Sequence, residues 1–148
     1  MSDDILNPHS ALIYIMVLIS AADNDMTDRE LKRIGDQVQN LPVFADFDVE
    51  ELVPLAEECA AKLGQPGGLD QVLDLIVASL PAKLSETAYA LACEVAAADL
   101  HVEQEELRLL QQLRDGLQLD RLIAAAIERG VRARHTSLYF RRLRPYDA

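Results

Sequence analysis

The carboxylates of Asp23, Asp25 and Glu30 and the hydroxyl of Thr27 fall within eight residues. Oxygen donors at that density are what hard divalent cations such as Ca²⁺, Mg²⁺ or Mn²⁺ take as ligands. Zn²⁺ favours nitrogen and sulfur and ranks behind them. Asp at relative positions 1 and 3, with a hydroxyl at 5, copies the start of an EF-hand loop. The copy stops there: the sixth position is Asp28 where Gly is needed, and the twelfth is Ile34 where a bidentate Glu is needed. The segment is not an EF-hand. The same residues also have a purely structural use. Thr27 and Glu30 make a capping box, and Asp25 and Asp28 favour the positive end of a helix.

The acidic turn returns in altered form. Ala22 to Leu31 corresponds to Ala98 to Leu107, 76 residues later. Asp99 and Glu106 keep the seven-residue separation of Asp23 and Glu30. Glu103 replaces Thr27, so the capping box is lost, yet the Asp/Glu pair persists. Capping alone does not require that. If the two turns meet across a pseudo-twofold axis, Asp23, Asp25, Glu30, Asp99 and Glu106 face one another. Clustered carboxylates repel, so close approach favours a bound cation or raised pKa values. His101 stands where the first copy has Asp25, either as a softer ligand or as a surface residue.

Positioning such turns takes helices on both sides. Each copy follows an apolar run, Leu12 to Ala22 or Tyr89 to Ala98, and precedes an amphipathic one. Asn7 as N-cap and Pro8 as first helical residue predict a helix over 8–22, apolar nearly all round and therefore central. A second helix runs from the Thr27 cap to about Leu41. A third opens at Asp48 with Glu51 and reaches Lys62, with Pro54 distorting its first turn. Gly64-Gln65-Pro66-Gly67-Gly68 breaks the chain before a fourth helix, Leu69 to Leu80. Ser85 caps a fifth, to Ala98. Two more span Glu103 to Gly116 and Asp120 to Arg132, and a short last helix covers Ser137 to Leu143. No segment alternates like a strand. The expectation is an all-α, internally duplicated pseudo-twofold helical bundle of seven to eight helices. It forms one domain over 1–148, with pseudo-repeats at about 8–63 and 84–133. The Gly-rich break is too short for a domain linker, and each half alone would expose an apolar face.

Composition bounds the function. The chain has 148 residues, half of them apolar, with no Trp. No apolar run is long enough to span a membrane, because Asn7, Pro8, His9 and Ser10 interrupt the nearest one. Ser2-Asp3-Asp4 lacks the basic start of a secretory signal. Cys59 and Cys93 lie in apolar helical contexts, which predicts buried thiols and a reducing, cytoplasmic compartment. Residues 1–128 carry 24 acidic and 8 basic side chains, a balance of −16; residues 129–148 carry one acid and six arginines, a balance of +5. An acidic body repels nucleic acid and anionic membranes. The arginine-rich tail (Arg129, Arg132, Arg134, Arg141, Arg142, Arg144) is expected to fold back on that body, with Leu138, Tyr139, Phe140 and Leu143 docking, or to meet an acidic partner.

A buried helix ending in Ala-Ala-Asp, an acidic turn and a Glu-Leu heading the next helix, all duplicated, resembles the tellurite-resistance TerB-like domain over roughly residues 8–133. The resemblance implies an all-helical fold, a bacterial stress-response setting with links to membrane complexes, and an acidic divalent-metal site. Its ligand positions here are Asp23, Asp25 and Glu30, then Asp99 and Glu106. Asn24 and Leu100 depart from the Gly common after the first Asp, and His101 from an acid. The leading expectation is a non-enzymatic module that binds or senses a divalent cation. The alternative is a protein-interaction module whose acidic turns only cap helices. A protein partner is expected, and a homodimer stays open. A metal-dependent hydrolase is disfavoured: His9, His101 and His135 are scattered, there is no Gly-rich phosphate loop, and no Ser or Cys has a nucleophile's context.

Overall fold

A computed structural model describes residues 5–21, 26–97 and 104–138, with the side chains of 104 and 105 left aside. Seven α-helices carry the described chain: α1 (Pro8–Ser20), α2 (Asp28–Asn40), α3 (Leu52–Leu63), α4 (Gly68–Ser79), α5 (Ser85–Ala97), α6 (Gln104–Gly116) and α7 (Arg121–Arg134). Short 3₁₀ turns occupy Pro42–Phe44, Val49–Glu51 and Ala82–Leu84. There is no strand among the described residues, and the fold is all-α as expected. No helix among them is long and apolar enough to cross a membrane. The α1 helix, at 13 residues, reaches only about 20 Å against about 30 Å of hydrocarbon.

Most helix starts follow the caps. Asn7 Oδ1 accepts from the Ser10 amide at 2.8 Å, and Asp120 accepts from the Leu122 and Ile123 amides at 3.1 and 3.3 Å. Two starts differ. Asp48 accepts from Glu50 rather than closing a box with Glu51, and the intervening residues wind as a 3₁₀ turn. The α-helix therefore begins at Leu52, and Pro54 falls among the first residues, whose amides have no intrahelical partner anyway. Ser85 is not a cap. The 3₁₀ turn over Ala82–Leu84 delivers it already in helical conformation, so it is the first residue of α5.

The α1 helix is central. Its residues Ser10 to Ser20 are all buried, and it packs against α3, α4 and α5. The α5 helix lies against α1 on one side and α7 on the other. One apolar cluster runs through both halves, from Leu12 to Val131. Two polar links recur around it. Tyr14 on α1 donates to Glu58 on α3 at 2.8 Å, and Tyr89 on α5 donates to Glu128 on α7, where Arg114 of α6 also binds at 3.1 Å. His9 belongs to the scaffold: its Nε2 lies 2.8 Å from the Val43 carbonyl, and its ring stacks on Phe44.

The Gly-rich break is a tight corner. Gly67 adopts φ 72°, a left-handed conformation that favours glycine. A Cβ on Gly68 would lie 2.1 Å from the Lys62 carbonyl oxygen at the end of α3. Gly68→Ala should therefore destabilise by about 2–3 kcal/mol. Gly130→Ala on the open face of α7, where nothing approaches within 4 Å, should instead stabilise by about 0.5–1 kcal/mol. Paired chemical denaturation curves check both signs.

Cys59 and Cys93 are free and buried. Burial is the main cause that pushes the Cys59 thiol up to about 12 and the Cys93 thiol up to about 11 from an ordinary 9.0. Burial, then the hydrogen bonds to Glu58 and Glu128, raises Tyr14 and Tyr89 from 10.0 as well. The folded chain thus holds protons that the unfolded chain releases, and stability falls as pH rises. The thiol contribution is whole below the ordinary 9.0 and is lost on rising through about 11 and 12. The melting temperature should be flat near neutrality and fall above about pH 9. In the Cys59→Ala/Cys93→Ala double variant the fall should start about one pH unit later, with the tyrosines.

Candidate functional site

The α1 helix ends at Ser20, just before the first acidic turn. The α2 helix begins after that turn. Its capping box is complete: the Thr27 amide donates to Glu30 Oε1 at 2.9 Å, and the Glu30 amide donates to Thr27 Oγ at 3.1 Å. The box fixes the Glu30 carboxylate in the first turn of α2, where the helix dipole favours negative charge. Glu106 holds the equivalent place, the third residue of α6. It is a buried carboxylate, 3% exposed.

Glu30 and Glu106 line one cavity of about 220 Å³. Ser20, Glu94, Val95 and His135 also line it, and α2 adds Arg33, Ile34, Asp36 and Gln37. The lining thus holds four carboxylates against one arginine. Ser20 is 4% exposed, and among the described residues its Oγ has no hydrogen-bond partner. A buried hydroxyl without a partner costs about 1–3 kcal/mol. Among the described residues no three His, Cys, Asp or Glu side chains stand close enough together to hold a bare metal ion.

The structure therefore brings together Glu30 and Glu106, the two glutamates singled out by the duplicated pattern. Asp23, Asp25, Asp99 and His101 lie outside the described residues. Three cavity residues carried no repeat signal. Ser20 is the polar end of an apolar helix. Glu94 is a lone acid in the apolar stretch of α5. His135 follows the last turn of α7. A charge inside an otherwise apolar helix was the one legible sign, and it belonged to Glu94.

Glu94 also anchors the start of the basic tail. Its carboxylate accepts from Arg134 Nε at 2.8 Å and meets His135 Nε2 at 2.7 Å. The carboxylate is mostly buried, which makes such charged hydrogen bonds stronger than surface ones. These contacts tie the end of α7 to α5. Leu138, expected to dock, is 79% exposed, because the anchor is polar and ends where α7 ends. Tyr139, Phe140, Arg141, Arg142, Leu143 and Arg144 lie outside the described residues. Glu94→Ala should lower stability by about 1 kcal/mol and free the end of α7 to limited proteolysis, whereas Glu94→Gln should keep part of the anchor.

Comparison with known families gives one match. Residues 9–128 match the family described as tellurite resistance protein TerB. No curated protein and no solved structure matches the chain.

Proposed function

The chain belongs to the tellurite resistance protein TerB family, and we propose that it is a non-enzymatic module that binds a divalent cation where its two acidic turns converge. The observation that carries this reading is the meeting of Glu30 and Glu106, 76 residues apart, at one cavity. Their first-turn positions on α2 and α6 place both carboxylates at helix N-termini. Asp23, Asp25 and Asp99 are the further ligands we propose, from the turns that lead into those helices. The donor set is carboxylate and hydroxyl oxygen, which suits Ca²⁺, Mg²⁺ or Mn²⁺ better than Zn²⁺. The setting is a tellurite or stress response in a bacterial cytoplasm. Cation occupancy would report to a protein partner through the helices that flank the cavity.

The second reading is an interaction module in which Glu30 only caps α2. The complete capping box favours it. Two substitutions separate the readings. If Glu30 is a ligand, Glu30→Gln leaves apo stability almost unchanged, because Gln serves a capping box nearly as well, and abolishes stabilisation by millimolar Ca²⁺, Mg²⁺ or Mn²⁺. Thr27→Ala costs about 1 kcal/mol with or without cation. Thermal melts of the two variants decide the matter: a cation shift that survives Glu30→Gln leaves Glu30 as a cap alone.

A further inference from the structure

We propose that a second copy of this chain docks its α3 across the outer face of α7, so that copies join head to tail. The contact uses no residue of the cavity, and it stands or falls apart from the cation reading.

The outer face of α7 is open. The helix buries Ala124 and Val131 and packs on α5. At about 100° per residue, the side turned away from those two carries Leu122, Ala126, Arg129 and Ala133. Leu122 is 78% exposed, its neighbour Ile123 is exposed as well, and a Cβ on Gly130 would meet nothing within 4 Å. Arg121, Arg129 and Arg132 are exposed on the same helix. The face is apolar at its start and basic along its length.

The outer face of α3 has the matching character. Residues 46–58 hold six acids and no base. Within them Val49 and Val53 are exposed, one turn apart, and Glu57 is exposed one turn later, while Leu52 and Ala56 are buried. The spacing agrees too. On α7, Leu122 precedes Arg129 by seven residues, about 10 Å. On α3, the middle of the valine pair precedes Glu57 by six residues, about 9 Å. Laid parallel, Leu122 covers the two valines while Arg129 meets Glu57. Small side chains, Ala126 and Ala133 on one helix and the exposed Ala60 on the other, let the two helices approach closely.

The complementary faces belong to one chain, yet one molecule cannot close the contact on itself. The α3 helix packs on α1, α1 on α5, and α5 on α7, so two helices stand between the faces. The partner that fits is therefore a second copy. A contact between unlike faces is heterologous and leaves a free face at each end for the next copy. Exposed ion pairs are individually weak and screened by salt, so the assembly is weak and salt-sensitive.

Sedimentation velocity of the full chain, with EDTA present, is the test. At about 20 mM salt the weight-average sedimentation coefficient should rise with protein concentration, and at about 0.5 M salt the rise should be lost. Leu122→Glu removes the α7 face, and Val53→Glu removes the α3 face. Both positions are exposed and lie in the first turn of their helix, where a glutamate suits the helix dipole, so melting temperatures should match the wild type. Each variant alone should sediment as a monomer. An equimolar mixture should form a one-to-one dimer and grow no further, because each variant keeps the face that the other has lost. A wild-type chain that stays monomeric at low salt overturns the proposal. So does either variant that still associates alone; association of Val53→Glu but not Leu122→Glu marks a symmetric contact of α7 on α7 instead. A mixture that stays monomeric overturns it as well.

Discussion

Ser10 to Ser20 leave no face of α1 to solvent, and the other helices have to be arranged around that fact. An amphipathic helix needs cover on one side. A helix buried all round needs neighbours on every side, and α3, α4 and α5 supply most of them. Its polar groups must then find partners inside. Tyr14 does so through Glu58, and Leu6, just before the helix, does so through its amide to Ser79 Oγ at 2.9 Å. Among the described residues the Ser20 hydroxyl has none, and Ser20 stands at the end of the helix, where it lines the cavity.

The site follows from helix ends rather than helix faces. First turns of helices concentrate unpaired amides and positive potential, which is where carboxylates are best tolerated. Glu30 and Glu106 both occupy such turns. Bringing two of these ends to one space makes an acidic cavity without placing isolated charges in the core. Ile34 and Val95 complete its walls, which lowers the local dielectric and strengthens any ion's attraction to the glutamates. The end of α7 reaches the same region: Glu94, near the end of α5, is a mostly buried carboxylate that binds Arg134 and meets His135.

Two tyrosine–glutamate links brace the central helices. Tyr14 with Glu58 joins α1 to α3, and Tyr89 with Glu128 joins α5 to α7. In each case a tyrosine from a central helix sends its hydroxyl outward to an acid at the boundary. Its ring fills the core while its oxygen stays satisfied. The halves differ where Arg114 adds a positive charge to the second link.

The sequence by itself determined the helices and the character of each. Apolar residues on all sides of Leu12 to Ile19 can only be a buried helix, and Thr27 with Glu30 can hardly be anything but a helix start. Those are local facts, set by 3.6-residue periodicity and by the hydrogen-bonding reach of a side chain over three residues. The all-α class followed from them. Helix starts at Leu52 and Ser85 were less legible, because a preceding 3₁₀ turn supplies helical geometry that no capping residue announces. The duplicated Asp/Glu pattern marked Glu30 and Glu106, but their meeting was decided by tertiary packing alone. Periodicity says which face of a helix is apolar. It does not say which neighbour covers that face, or where the ends then fall. Ser20, Glu94 and His135 come from the ends or flanks of three different helices. They share a cavity only because α1, α5 and α7 pack in sequence around one core, a relation between distant segments that no local spacing encodes.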